Sequence, residues 1–154
     1  MTTNKDKKTT GASERQLKEK WGAVTLSNGF TAIPNTLIER QQALKIKPTE
    51  MNILLILMKY WWENDRTPYP SKETIAEMIN RDSSTVRKAM KSLEEKGLVK
   101  RTSRYYEKGG QTSNEYDLSG LVESLKTQST EIKNLQAKRK SEDASIRRGG
   151  EIKK

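Results

Sequence analysis

Arg81, Arg87, Lys88, Lys91, Lys96, Lys100, Arg101, Arg104 and Lys108 place nine basic groups between residues 81 and 108, where only four acidic ones occur: Asp82, Glu94, Glu95 and Glu107. Guanidinium and ammonium groups bind anions well, Arg through a planar fork of donors and Lys as a compact point charge. The chemistry on offer is therefore electrostatics and hydrogen bonding to a polyanion. The chain has no His and no Cys, so it lacks an imidazole base, a thiolate nucleophile and the usual zinc or haem ligands. Tyr105 and Tyr106 have no histidine partner that would make either a catalytic nucleophile, and no nucleotide-binding glycine pattern is present. The expectation is a protein that is not an enzyme and needs no cofactor or metal.

The composition locates the part that must hold these groups in place. The chain has 154 residues and a formal charge of +10, with 32% hydrophobic residues, a low apolar share for a globular chain. Residues 1–29 and 123–154 carry nets of +3 and +4 and are rich in Lys, Ser, Thr, Gln and Asn, whereas residues 30–122 net +3 and hold nearly all the aromatic residues. This divides the chain into a flexible basic N-terminal arm (1–29), one packed domain (30–122), and a marginal C-terminal helix with a basic tail (123–154). The longest apolar run, Ile53 to Met58, is far short of the ~18 residues of a membrane span. No leader-like apolar segment occurs in residues 1–20. The absence of Cys fits a reducing compartment, and a cytoplasmic protein without membrane contact is expected.

Within the packed region, apolar spacing predicts four helices and a hairpin. Pro34 starts a helix that reaches about Lys45, and Pro48 starts a second, apolar almost all round, up to Trp62. Ser71 caps a short helix with Ile75, Ala76 and Ile79 facing inward. Asp82 caps a helix from Ser83 to Lys96 with Val86, Ala89, Met90 and Leu93 on one face, and Gly97 ends it. Leu98–Tyr106 and Ser113–Leu118 read as two strands joined through Gly109-Gly110. Alternation along the first strand predicts one of Tyr105 and Tyr106 inward and the other outward.

A helix-turn-helix needs a small residue where its helices meet, a residue tolerant of positive φ four positions later, and a branched apolar residue six further on. Ala76, Asn80 and Val86 meet these demands. With the hairpin that follows, the chain resembles the winged-helix domains of plasmid and phage replication initiators and related bacterial regulators. The resemblance rests on Gly29-Phe-Thr-Ala-Ile-Pro34, Pro70-Ser-Lys-Glu-Thr-Ile-Ala76, Ser84-Thr-Val-Arg87, Leu93-Glu-Glu-Lys-Gly-Leu-Val99 and Asn114-Glu-Tyr-Asp-Leu118. It implies a mainly α fold with a small β-hairpin wing, a winged helix-turn-helix, over roughly residues 29–122.

For such a domain helix geometry assigns roles. Ser83, Ser84, Thr85, Arg87, Lys88 and Lys91 occupy the helix that would enter the major groove of double-stranded DNA, with Arg87 suited to guanine O6 and N7 and the lysines to phosphates. Ser71 and Lys72 would offer a phosphate backbone N–H groups and an ammonium, and Arg101, Arg104 and Lys108 would set the wing on adjacent backbone. Regulation of transcription on a mobile element is the first expectation. Origin binding with a replication partner, and use as a protein-interaction module, are the alternatives. The basic C-terminal residues fit either a nucleic-acid arm or a solubilising tail. Leu121, Leu125, Ile132 and Leu135 fit either a homodimer seam or a helix docked on its own domain.

Overall fold

The structure, a computed structural model, describes residues 4–149. The chain divides into two compact units, residues 1–32 and 33–154, so the boundary follows Ala32 rather than Gly29. In the first unit, α1 (Asn4–Trp21) and the single turn α2 (Ala23–Leu26) are joined at Gly22. The flexible arm expected from composition is thus largely helical. Arg15 pairs with Glu19 at 3.0 Å, Lys18 with Glu14 at 3.3 Å, and the Lys20 ammonium lies 5.2 Å from the centre of the Trp21 ring. The two ion pairs, each spanning four residues, stabilise a helix by a few tenths of a kcal/mol each, which a mean over composition does not register.

The second unit runs α3 (Asn35–Glu39), α4 (Pro48–Tyr60), α5 (Lys72–Ile79), α6 (Ser83–Glu95), β1 (Lys100–Thr102), β2 (Glu115–Asp117) and α7 (Ser119–Arg147). Helix α3 ends well before the expected Lys45. Its chain leaves helical geometry at Arg40 and turns through Lys45, at φ 56°, to bring Ile46 into the core. Helix α4 opens on Pro48 as the sequence predicts and is the central element, with Ile53, Leu54 and Leu57 wholly buried. Ile75, Val86, Met90 and Leu93 from α5 and α6 share one core with them. Trp61 packs against that core, while Trp62 is 75% exposed.

The hairpin is antiparallel, with Lys100 opposite Asp117, Arg101 opposite Tyr116 and Thr102 opposite Glu115. Its ladder is shorter than the apolar pattern predicts. Past Thr102 only a bridge between Tyr105 and Gln111 remains before the turn at Gly109 and Gly110, both at φ 88°. Tyr105 and Tyr106 are both exposed, 68% and 64%, contrary to the in-and-out expectation. Neither ring joins the core cluster, and Tyr106 borders open space beside the start of α5. At the base, the Tyr116 N–H donates to the Pro68 carbonyl at 2.9 Å, tying the loop before α5 to the hairpin.

Helix α7 is the largest departure from expectation: instead of ending near Gln136 it continues to Arg147. The hydroxyls of Thr127 and Thr130 donate back to the carbonyls of Glu123 and Lys126, at 3.2 and 3.0 Å, so these poor helix formers are satisfied within the helix. Leu121 is buried, Leu125 packs on the core, and Thr36 Oγ1 meets Ser129 Oγ at 2.8 Å. The first turn of α7 rests on the turn that closes α6. The Leu121 N–H donates to the Leu98 carbonyl at 3.0 Å, and a Cβ on Gly120 would stand 2.0 Å from the Gly97 carbonyl oxygen. Helix, tight turn, helix and antiparallel hairpin make this unit a winged helix-turn-helix domain.

Candidate nucleic-acid interface

The corner between α5 and α6 is built from local hydrogen bonds. Ser71 Oγ accepts the Thr74 N–H at 3.1 Å and caps α5, and Asp82 Oδ1 accepts the Thr85 N–H at 2.7 Å and caps α6. Between them Asn80 adopts left-handed geometry, φ 52° and ψ 51°, and the Arg81 N–H returns to the Ala76 carbonyl at 2.9 Å. Ala76 and Val86 are buried on either side of this turn. The three residues picked out by spacing therefore do what the motif requires of them.

Val86, Met90 and Leu93 hold α6 on the core and leave Ser84, Arg87, Lys88 and Lys91 exposed. At about 100° per residue these four fall within one arc of about 100°. Glu95 ends the positive face one turn beyond Lys91. Ser83 and Thr85 are half-buried. The Thr85 hydroxyl and N–H both serve Asp82, holding its carboxyl below the usual carboxylate range, so Thr85 braces the helix start. Ser71 is similarly engaged, through Thr74 Oγ1 at 2.8 Å. The first-turn N–H groups of Lys72 and Glu73, which have no intrahelical acceptor, are what that end of α5 presents.

The basic residues C-terminal to α6 divide by partner. Lys96 is not part of the positive surface: its ammonium lies 2.6 Å from Glu50 Oε2 and 2.5 Å from the Lys45 carbonyl, and Glu50 is buried. Arg101 pairs with Glu94 at 3.3 Å. Arg104 pairs with Glu115 at 3.2 Å and stacks 4.2 Å from the centre of the Tyr69 ring, while Thr67 donates to the other oxygen of Glu115 at 3.0 Å. Lys100 and Lys108 are exposed. The wing base is thus braced to α6 by Arg101 and to the loop before α5 by Arg104.

Sequence reasoning missed one feature. A polar cleft of about 530 Å³ separates the start of α5 from the wing, and Lys72, Tyr106, Gln111, Ser113 and the buried Asn114 line it. The residues involved are far apart in the chain, so no local pattern signals the cleft. Among the described residues, no group of three His, Cys, Asp or Glu could hold a metal ion, and no helix is long and apolar enough to cross a membrane.

These features define a winged helix-turn-helix domain whose second helix presents a basic face. Residues 44–99 match the family described as Helix-turn-helix domain, a span reaching from before α4 to the start of the wing. None of the curated proteins compared matches the chain. Among solved structures it is similar to a possible transcriptional regulator from Methanosarcina mazei Go1, at 18% identity over 66% of this chain and 82% of that one, with a TM-score of 0.44. It is also similar to the S. aureus MepR-DNA complex, at 20% identity over 73% and 90% with a TM-score of 0.42. The YusO protein of Bacillus subtilis is similar at 17% identity over 97% and 100%, with a TM-score of 0.42.

Proposed function

We propose that the protein binds double-stranded DNA sequence-specifically and regulates transcription, without a cofactor. The observation carrying this reading is the face of α6: Ser84, Arg87, Lys88 and Lys91 stand exposed on the helix that follows the left-handed Asn80, opposite a fully buried apolar face. Such a helix fits the major groove with its N-terminal half on the base edges. Arg87 reads guanine, Lys88 and Lys91 neutralise phosphates, Ser83 and Ser84 lie at the groove floor, and Lys72 meets the flanking backbone. Lys108 extends the contact through the wing. Arg101 and Arg104 join it by exchanging their half-buried carboxylate partners, Glu94 and Glu115, for phosphates.

Transcription control on a mobile element is the output favoured by the resemblance to regulator and replication-initiator domains. An origin-binding role would differ by requiring a replication protein partner. The uncovered end of α7 supports a homodimer, since Leu135 and Ile146 are 50% and 59% exposed and fall within about 20° of each other on the helix. Light scattering before and after truncation following Ile132 tests it, and an unchanged mass removes the dimer.

Selection of bound fragments from a random duplex pool, followed by titration of the winner, tests the main reading. Enrichment of one motif, lost with Arg87→Ala, is the expected result. Absence of binding at ~50 mM salt, where phosphate contacts are strongest, overturns it. Activity that survives charge reversal of Arg87 and Lys91 would instead identify a protein-interaction module.

A further inference from the structure

Helix α7 carries a second positive surface. Lys126, Lys133, Lys140 and Arg147 are all exposed and recur at intervals of seven residues. At about 100° and 1.5 Å per residue they form a stripe about 60° wide and about 32 Å long. The four acidic residues of α7, Glu123, Glu131, Glu142 and Asp143, turn about 70° or more away from the stripe's midline. Of these four cations, Lys126 alone has an ion-pair partner among the described residues, Glu123 at 3.0 Å. That pair is exposed and contributes little. At the far end a notch of about 350 Å³ opens beside Ala144 between Lys140 and Arg147, with Asp143 and Arg148 at its rim.

We infer that this stripe is a binding surface for the sugar-phosphate backbone of a nucleic-acid duplex. Its length matches about one turn of B-DNA, 34–36 Å, and a duplex carries one negative charge about every 1.7 Å. The residues nearest the midline between the cations are Ser129, Gln136, Ala137 and Ala144, small or polar side chains that let a backbone approach. They provide none of the aromatic or large aliphatic anchors on which protein interfaces depend. The large apolar residues of this part of the helix, Ile132, Leu135 and Ile146, turn about 90–150° away from the midline. The stripe would add affinity without sequence preference, leaving discrimination to α6. This inference deepens the DNA reading and rests on it for the choice of polyanion.

The test uses the full chain and a duplex of arbitrary sequence several helical turns long, titrated over a range of salt. In the combined variant Lys133→Gln, Lys140→Gln, Arg147→Gln, the slope of log K against log salt should fall by about 2.7, about 0.9 for each lost contact. Affinity should drop at least about tenfold. Lys138→Gln, on the same helix but off the stripe, should change the slope by less than one contact's worth. Circular dichroism should show unchanged helix content for all variants. An unchanged slope in the triple variant, with loss in Lys88→Gln, Lys91→Gln, overturns the stripe and leaves the α6 reading intact. Loss in the triple variant alone supports the stripe and overturns the α6 reading. Stripe-dependent binding of polyglutamate with an unchanged DNA slope assigns the surface to an acidic protein and overturns the inference, and absence of any DNA binding overturns both readings.

Discussion

Lys96 and Glu50 form an ion pair of 2.6 Å that joins the end of α6 to the start of α4, with Glu50 Oε2 also accepting the Lys47 N–H at 3.1 Å. Burial pushes the Glu50 carboxyl up, but the Lys96 ammonium, Ser92 and the Lys47 N–H outweigh it, and the net shift is downward. Because its pKa is lowered on folding, this group contributes stability above the ordinary value of 4.5 that is lost as pH falls through the lower folded value. Urea midpoints should therefore decline as pH falls below 4.5 and level off below the folded value. Lys96→Met leaves a buried carboxylate unpaired, and at pH 7 should cost about 3 kcal/mol. It should also reduce the acid-side loss, since the Lys96 ammonium is the strongest of the influences that hold the Glu50 pKa down.

At Gly120, helix propensity and packing predict opposite signs. Alanine is favoured over glycine within a helix by about 1 kcal/mol, yet a Cβ here would meet the Gly97 carbonyl oxygen at 2.0 Å. The carbonyl belongs to the backbone of the turn closing α6 and cannot rotate aside. Gly120→Ala should destabilise the domain by about 1–3 kcal/mol. A higher melting temperature would show that α7 does not rest on that turn.

Asn80 supports a paired comparison at the corner. Its φ of 52° is costly for a side chain with a Cβ and free for glycine. Asn80→Gly should be neutral or slightly stabilising, while Asn80→Val should cost about 1–2 kcal/mol. Equal effects on thermal unfolding would mean that the turn relaxes.

DNA titrations separate readout from charge on α6. Arg87→Ala should cost about 1–3 kcal/mol and relax preference at one base position, whereas Lys88→Ala should weaken all duplexes alike and reduce the salt slope by about one. Identical behaviour of the two variants would place both on phosphates.

Much of the fold and part of the site were legible without coordinates. Ser71, Asp82, Asn80 and Gly97 act through partners within a few residues, and the inward faces of α4, α5 and α6 follow from apolar spacing, so sequence alone determined the helix-turn-helix and an outward set on α6, Ser83, Ser84, Arg87, Lys88 and Lys91, of which Ser83 is half-buried in the fold. Tertiary structure decided what depends on distant segments. Lys96 counts as surface charge until Glu50 is seen beside it, 46 positions away in the chain, and Arg104 counts as a free wing cation until Tyr69 and Glu115 claim it. Gly120 was not readable, because it answers to a carbonyl in another element, and the first turns of α7 are held by α3 and the core, segments distant in the chain. Caps and periodicity are short-range and survive in one dimension. Which cation meets which anion is settled only when the chain has closed its loops.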